Sequence, residues 1–546
     1  MMSRFILVFS ICLFSQCLVA QGNAWKGEPY PVIDKVFGKH QLYRNDTLLT
    51  LKVCNNEFVL QQFDVSREMR QVSIHRYENE NLFRKRSVSN MFFIGTKSYV
   101  SYFKLDEVDF TKIDLEGISM LEKEFFFREI DFEKGTFSLE EYRLIDEEST
   151  SSRVLKSEFD LEGFKWTNSY ETSDLKYMIL EFSPKSKSNN VKKCIILINE
   201  NLEVVWSAEL SFKYASENFY CRDIDFGSDG NFYFFLSSFE EPIFTSDSVT
   251  QRDFIDSHAE NMVLKLDTST GIADRKIFNT NNKSLAVDYF GLHNSNVVVS
   301  GLELDDFVNS DNDVVQITKN YFGFNASEHP IDTLIEFFNV SKDVLNMFER
   351  PNLRNDISAP VLNVFDRVSN WQFHPIDNGI VIIGEQEYSE EYNTADNHGS
   401  SVVERERRIR GDILICKIGF GNESSWFTKI GKFERSSGVF TEEFSFKFIP
   451  TDSGVHYLVF EDDQNNSNLT ERDVPAIFYS NTPGEVVSYE INNKTGELNR
   501  KLLVDLKPLN LFHFNPSGTV VFNEDYLVGE VYKKGNEDVL IKIKFK

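Results

Sequence analysis

Apolar residues along this chain come in short dense runs. "CIILI" (194–198), "FYFFLS" (232–237), "NVVVSGL" (296–302), "GIVIIG" (379–384), "DILICKI" (412–418) and "DVLIKIKF" (538–545) are typical. Each is bounded by Gly, Asn, Asp or Ser. Runs this short, rich in β-branched and aromatic residues, predict β-strands covered on both faces. One segment differs. In "DTLIEFFNVSKDVLNMF" (332–348) the apolar residues recur at helical spacing, which predicts a helix there.

The runs belong to a repeat. An aromatic residue, a polar turn and an apolar strand follow one another in "FGSDGNFYFF", "FGLHNSNVVV", "FHPIDNGIVI", "FIPTDSGVHY" and "FNPSGTVV", starting at Phe226, Phe290, Phe373, Phe448 and Phe514. Weaker copies start at Tyr43, Phe93 and Trp166. Ser-Asp-Gly, Ile-Asp-Asn-Gly and Thr-Asp-Ser-Gly are hairpin turns, because Asp, Asn and Gly bond their own backbone or accept positive φ. The remainder of the unit recurs too. "GIVIIGEQEY…GDILICKI" parallels "DYLVGEVYKKGNEDVLIKIKF", with Glu385 and Glu530 in the same slot. Trp206 follows Ile198 as Trp426 follows Ile418, on the outermost strand of two units. Both tryptophans are expected to pack against the next unit.

Each unit reads as four antiparallel strands that cannot bury both faces alone. Radial stacking of such units solves that problem. The expected fold is all-β: a β-propeller of about eight, alternatively seven, four-stranded blades, in one domain over 25–546. Tandem β-sandwiches are the competing architecture. The last unit stops at its third strand, so the segment near 30–38 is expected to supply the fourth and close the ring.

Composition adds a compartment and some exclusions. Residues 1–20 combine a basic start (Arg4), an apolar run (Phe5 to Phe14) and a small residue, Ala20, before Gln21. This is the pattern of a secretory signal peptide. The expected location is therefore periplasmic or extracellular. No stretch is apolar enough for a membrane-spanning helix. A net charge of −27 argues against nucleic acid as a partner. Cys54, Cys194, Cys221 and Cys416 lie beyond the signal; Cys194 and Cys416 sit in apolar strands as core residues, and a Cys194–Cys221 bridge is one option.

"LINENLEVVWSAELSF", "DIDFGSDGNFYFF", "DNGIVIIGEQEY" and "GDILICKI…SSWFTKI" resemble secreted β-propeller-like proteins of Gram-negative bacterial envelopes. The likeness runs over roughly 160–546. It implies the fold and the compartment, and it implies no site residues.

Chemistry is sparse. The sequence holds no nucleophile elbow, P-loop, HExxH or EF-hand pattern. Four histidines, His293, His374, His456 and His513, fall in or beside the recurring turn and read as capping or surface residues. Asp305, Asp306, Asp311 and Asp313, and Glu461, Asp462 and Asp463, form two acidic stretches read as solvated loops. Calcium is the one ion they would suit; no cofactor is otherwise expected. Glu385 and Glu530 read as polar strand-end residues. Residues 389–412 read as a long polar loop ending in the densest basic patch, Arg405, Arg407, Arg408 and Arg410, a candidate protein-contact loop. The expected function is a non-enzymatic binding or scaffold propeller, monomeric, with an unknown protein or glycan partner. The alternative is a carbohydrate- or peptide-active hydrolase with carboxylates at the propeller channel.

Overall fold

The computed structural model describes residues 24–545 with gaps, the longest at 106–122, 239–259, 339–367 and 462–477. The described residues form eight sheets in chain order. Sheets 1 to 5 occupy 36–78, 87–154, 164–212, 219–277 and 284–338. Sheet 6 spans 368–435 and adds Phe478–Tyr479; sheet 7 spans 446–505. Sheet 8 spans 511–544 and takes its outer strands, Ala24–Lys26 and Tyr30–Pro31, from the other end of the chain. The eight aromatic starts fall one to a sheet; six lie near the first hairpin turn, while Trp166 lies near the start of its first strand and Phe514 between Leu511–Phe512 and Val520–Phe522.

The architecture is a β-propeller. Middle strands such as Glu57–Asp64 and Asn231–Ser238 are buried along nearly their whole length. Alternate residues of one strand pack on opposite neighbours, as the two-residue period requires. Ile382 joins Val298 and Leu302 of sheet 5, while Ile383 joins Val487 and Tyr489 of sheet 7. The same pattern links every successive pair. Leu60 meets Phe126, Phe127 meets Leu180, Leu197 meets Phe234, Phe235 meets Val299, and Val486 meets Leu527. Val528 and Leu540 of sheet 8 then pack on Leu48 and Phe63 of sheet 1, so the ring of sheets closes. This is why the sequence shows solid apolar runs: each middle strand faces two neighbours.

First strands lie innermost, where those of neighbouring sheets touch one another. Fourth strands lie outermost; Arg70–Glu78 alternates between exposed and half-buried residues. Both tryptophans take the expected place. Trp206 packs in a tilted arrangement, ring centroids 4.6 Å apart, on Phe232 of sheet 4, and the Trp426 indole donates to Asn493 O of sheet 7 at 2.9 Å.

The closing strand comes from slightly earlier in the chain than expected. Trp25 pairs with Lys542 and Tyr30 with Asp538, while Val36–Arg44 already opens sheet 1. Gly27 passes so close to sheet 1 that a Cβ there would clash with Met69 O. The predicted helix is overturned where it is described: Phe337 and Phe338 are extended and pair with Phe322 and Tyr321. The rest of 332–348 lies outside the described residues. Among the described residues, no helix is long and apolar enough to cross a membrane.

Candidate functional site at the inner strands

The first strands carry most of the polar chemistry of the inner face. Six of them shift register against the second strand, between Val36 and Gly38, Val88 and Asn90, Trp166 and Asn168, Cys221 and Asp223, Val287 and Tyr289, and Ser369 and Gln372. A bulge at a recurring place re-aims the residues that follow it. In sheets 3 to 5 those residues are Asn168, Tyr170, Asp223, Asp225 and Tyr289.

They converge with Glu181 and Lys193 of sheet 3. The Tyr170 hydroxyl donates to Glu181 Oε2 at 3.0 Å and accepts from Asn168 Nδ2 at 3.0 Å. Lys193 Nζ donates to Glu181 Oε1 at 2.6 Å and to Ser183 Oγ at 2.9 Å. Asp223 Oδ1 accepts the Ile224 amide at 2.8 Å. Asp225 Oδ1 accepts the Phe226 amide at 2.7 Å, and its Oδ2 accepts the Leu292 amide of sheet 5 at 3.1 Å.

The groups feel one another. Burial, then Asp225 and Glu181, push the half-buried Asp223 carboxyl up to about 7. Burial, then Asp225 and Asp223, push Tyr289 up to about 12. Burial and Glu181 also raise Tyr170, and burial raises the Cys221 thiol far above its ordinary range, so it is no thiolate nucleophile. The belt continues toward sheet 1. Glu171 is exposed, yet the surrounding protein raises its carboxyl. First strands line the inside of the closed ring, so this face is a concave wall. Asn90 Nδ2 lies 3.5 Å from Glu171 Oε1, and burial lowers His40 on the adjacent first strand. Such a wall can donate and accept hydrogen bonds and can hold or release one proton near neutral pH at Asp223. Among the described residues, no group of three or more His, Cys, Asp or Glu could hold a metal ion.

The candidates named from sequence fall elsewhere. Residues 389–395 and 402–408 are strands of one long hairpin, with Ser389 opposite Arg408 and Ala395 opposite Val402. Arg405, Arg407 and Arg408 lie on its second strand. Arg410 is only 4% exposed, at the hairpin's base, with Nε 3.9 Å from Glu385 Oε2. Glu385 and Glu530 are not strand-end surface groups. Glu385 is fully buried and takes Lys432 Nζ at 2.9 Å. Glu530 takes Lys39 at 2.7 Å, Lys52 at 2.5 Å and the Tyr30 hydroxyl at 2.8 Å. Burial alone would raise Glu530, but the two lysines hold it well below the usual carboxylate range.

His293 Nε2 lies 3.4 Å from Asp377 of the next sheet's turn, and His374 stacks on Phe448 at 3.8 Å. The side chain of His456, and His513 altogether, lie outside the described residues. All four cysteines are thiols, so the Cys194–Cys221 bridge is not formed; Cys194 and Cys416 are buried as expected. Asp305 and Asp306 lie on a strand rather than in a loop. Asp311, Asp313, Asp462 and Asp463 lie outside the described residues, and Glu461 ends a strand.

No protein-family model matches the chain, and no curated protein does. Solved structures with a similar course include an uncharacterized protein, lmo1340, from Listeria monocytogenes EGD-e. It is 10% identical, covers 94% of this chain and 96% of its own, and has a TM-score of 0.32. The β-propeller domain of the Trilobed protease from Pyrococcus furiosus, described as having an open velcro topology, is 10% identical over 86% of this chain and 97% of its own, with a TM-score of 0.31. At such scores the likenesses carry no functional argument, and the fold rests on the sheets themselves.

Proposed function

We propose that this chain is a non-enzymatic binding propeller of the cell envelope or extracellular space, taking a glycan or peptide at the inner strands of sheets 3 to 5. The signal-like residues 1–20 support the location. The observation that carries the binding reading is the convergence of Tyr170, Glu181, Lys193, Asp223 and Asp225. Their hydrogen bonds fix their geometry while Asp223, Asp225 and Tyr170 keep partial solvent access. Rigid polar groups on a concave wall suit hydroxyls, amides and amines.

The test is a screen of envelope glycans and peptides against the purified protein, repeated with Tyr170→Phe and Asp223→Asn. Loss of a charge-assisted or neutral hydrogen bond to the ligand should weaken binding by about tenfold. Hits that bind both variants as tightly as the parent would overturn the site. A second reading rests on Asp223 itself. A carboxyl pushed up to about 7 beside another carboxylate is the pairing that general acid–base hydrolysis needs. Turnover of chromogenic glycosides or peptides, lost in Asp223→Asn, would decide for the hydrolase.

A further inference from the structure

The hairpin of sheet 6 outruns its sheet. The first strand of sheet 6 last pairs at Gln386, and on the other side Glu434–Arg435 pairs only with Ile409 and Arg410. From Ser389/Arg408 to Ala395/Val402 the arm is two-stranded, seven pairs long, among the described residues. At the usual rise this is roughly 20 Å of strand. A two-stranded ribbon is marginal by itself, and its edges are templates for further pairing.

The order of residues on the second strand says what suits that edge. Residues 402–409 read Val-Val-Glu-Arg-Glu-Arg-Arg-Ile. Laid antiparallel on itself about a two-fold between Arg405 and Glu406, this segment sets Glu404 opposite Arg407 and Arg405 opposite Glu406. Symmetry doubles each pair, giving four opposite-charge pairs. A shift of one residue either way sets Arg against Arg and Glu against Glu. The arm's own first strand accounts for the alternation only at Arg407, which lies opposite Glu390. It places Tyr392 opposite Arg405, Asn393 opposite Glu404, and Glu391 opposite Glu406, a like-charge pair. On the open side, Arg405 of a second copy would offset that repulsion.

We propose that two copies of this chain associate through these arms, their second strands pairing antiparallel over residues 403–408. The interface is isologous, as a closed dimer requires. It also gives the arm a function apart from the ligand wall of sheets 3 to 5.

The test is the mass of the full chain by sedimentation velocity over a concentration series. The parent should dimerise. Two variants, Arg405→Glu/Arg407→Glu and Glu404→Arg/Glu406→Arg, should each weaken the dimer by about fifteen- to eightyfold, four pairs at roughly two- to threefold each. Mixing the two variants should restore a dimer, because each then meets its complement. Restoration also shows that both variants are folded. A parent that stays monomeric at its highest soluble concentration would overturn the proposal, the charges then serving to protect the edge. So would a dimer that both variants leave intact, or a mixture that does not recover.

Discussion

Replacing Lys432 by Met tests the buried ionic network under the arm. Lys432 is 2% exposed. Its ammonium lies 2.9 Å from Glu385 Oε1 and 2.7 Å from Glu434 Oε2. Asp412, also fully buried, accepts the Lys432 amide at 3.0 Å and pairs with Lys429 at 3.4 Å. Methionine keeps the chain's apolar packing and removes only the charge. Glu385 is then left buried beside Glu434, with Arg410 Nε 3.9 Å away. Breaking a buried pair from one side costs about 3–5 kcal/mol. Arg410 can move toward Glu385, so about 3 kcal/mol is expected, a sizeable part of a domain's usual stability. Urea unfolding followed by tryptophan fluorescence measures it. The double variant Lys432→Met/Glu385→Gln removes both charges and should recover most of the loss, to within about 1–2 kcal/mol of the parent. A single variant within about 0.5 kcal/mol of the parent would refute the reasoning, since that is the range of ordinary surface substitutions.

Other perturbations read other parts of the ring. Gly496 has φ +72° and a Cβ there would lie 2.9 Å from the Trp426 ring, so Gly496→Ala should cost about 1–3 kcal/mol and shift the tryptophan emission. Tyr30→Phe removes the hydroxyl donated to Glu530 and should cost about 1 kcal/mol, while removing residues 24–31 should lower the melting temperature far more. For Asp223 the folded pKa lies above the unfolded one. Its protonated form therefore favours folding at low pH, and that contribution is lost as pH rises from about 4 to about 7. Asp223→Asn should thus be more stable than the parent at pH 8, with the gap closing as pH falls toward 4. A gap that widens on acidification would contradict the placement of Asp223.

The ring was legible because its cause is repeated. Each sheet must bury two faces, so runs such as Ile380-Val-Ile-Ile383 recur at each turn and announce strand, turn and unit together. The inner-strand site was not legible. Tyr170, Asp223 and Asp225 stand in "NSYE" and "CRDIDF", which differ from one unit to the next, and the bulges that aim them leave no residue signature. Glu385 and Glu530 were placed in the right slot but given the wrong environment. A glutamate inside an apolar run looks like a strand end until the lysine that meets it is known, and Lys432, Lys39 and Lys52 lie far from their partners in sequence. The arm was misread for a related reason. Its strands are polar, and so lack the apolar alternation by which strands are recognised.

The second-strand glutamates bear on how the ring finds one arrangement. Glu181, Glu385 and Glu530 all sit on second strands, yet each is met differently. Glu181 takes Lys193 from the third strand of its own sheet. Glu385 takes Lys432 from beyond the fourth strand of its own sheet. Glu530 takes Lys39 and Lys52 from sheet 1, across the seam. Apolar packing between four-stranded sheets is tolerant, and by itself it would let sheet 8 close on almost any neighbour. A buried carboxylate is not tolerant, because leaving it unmet costs several kcal/mol. Only sheet 1 brings two lysines to Glu530, and only the strand from residues 24–31 brings Tyr30. Burial and Glu530 raise Asp538 to about 6 against the opposing pull of Lys52, which shows how crowded with charge that seam is. Replacing Lys39 and Lys52 together by Met should therefore loosen the closure of the ring before it disturbs any other junction. Hydrogen exchange would show this as early loss of protection in Ala24–Lys26 and Glu537–Lys544, with Val191–Ile198 still protected.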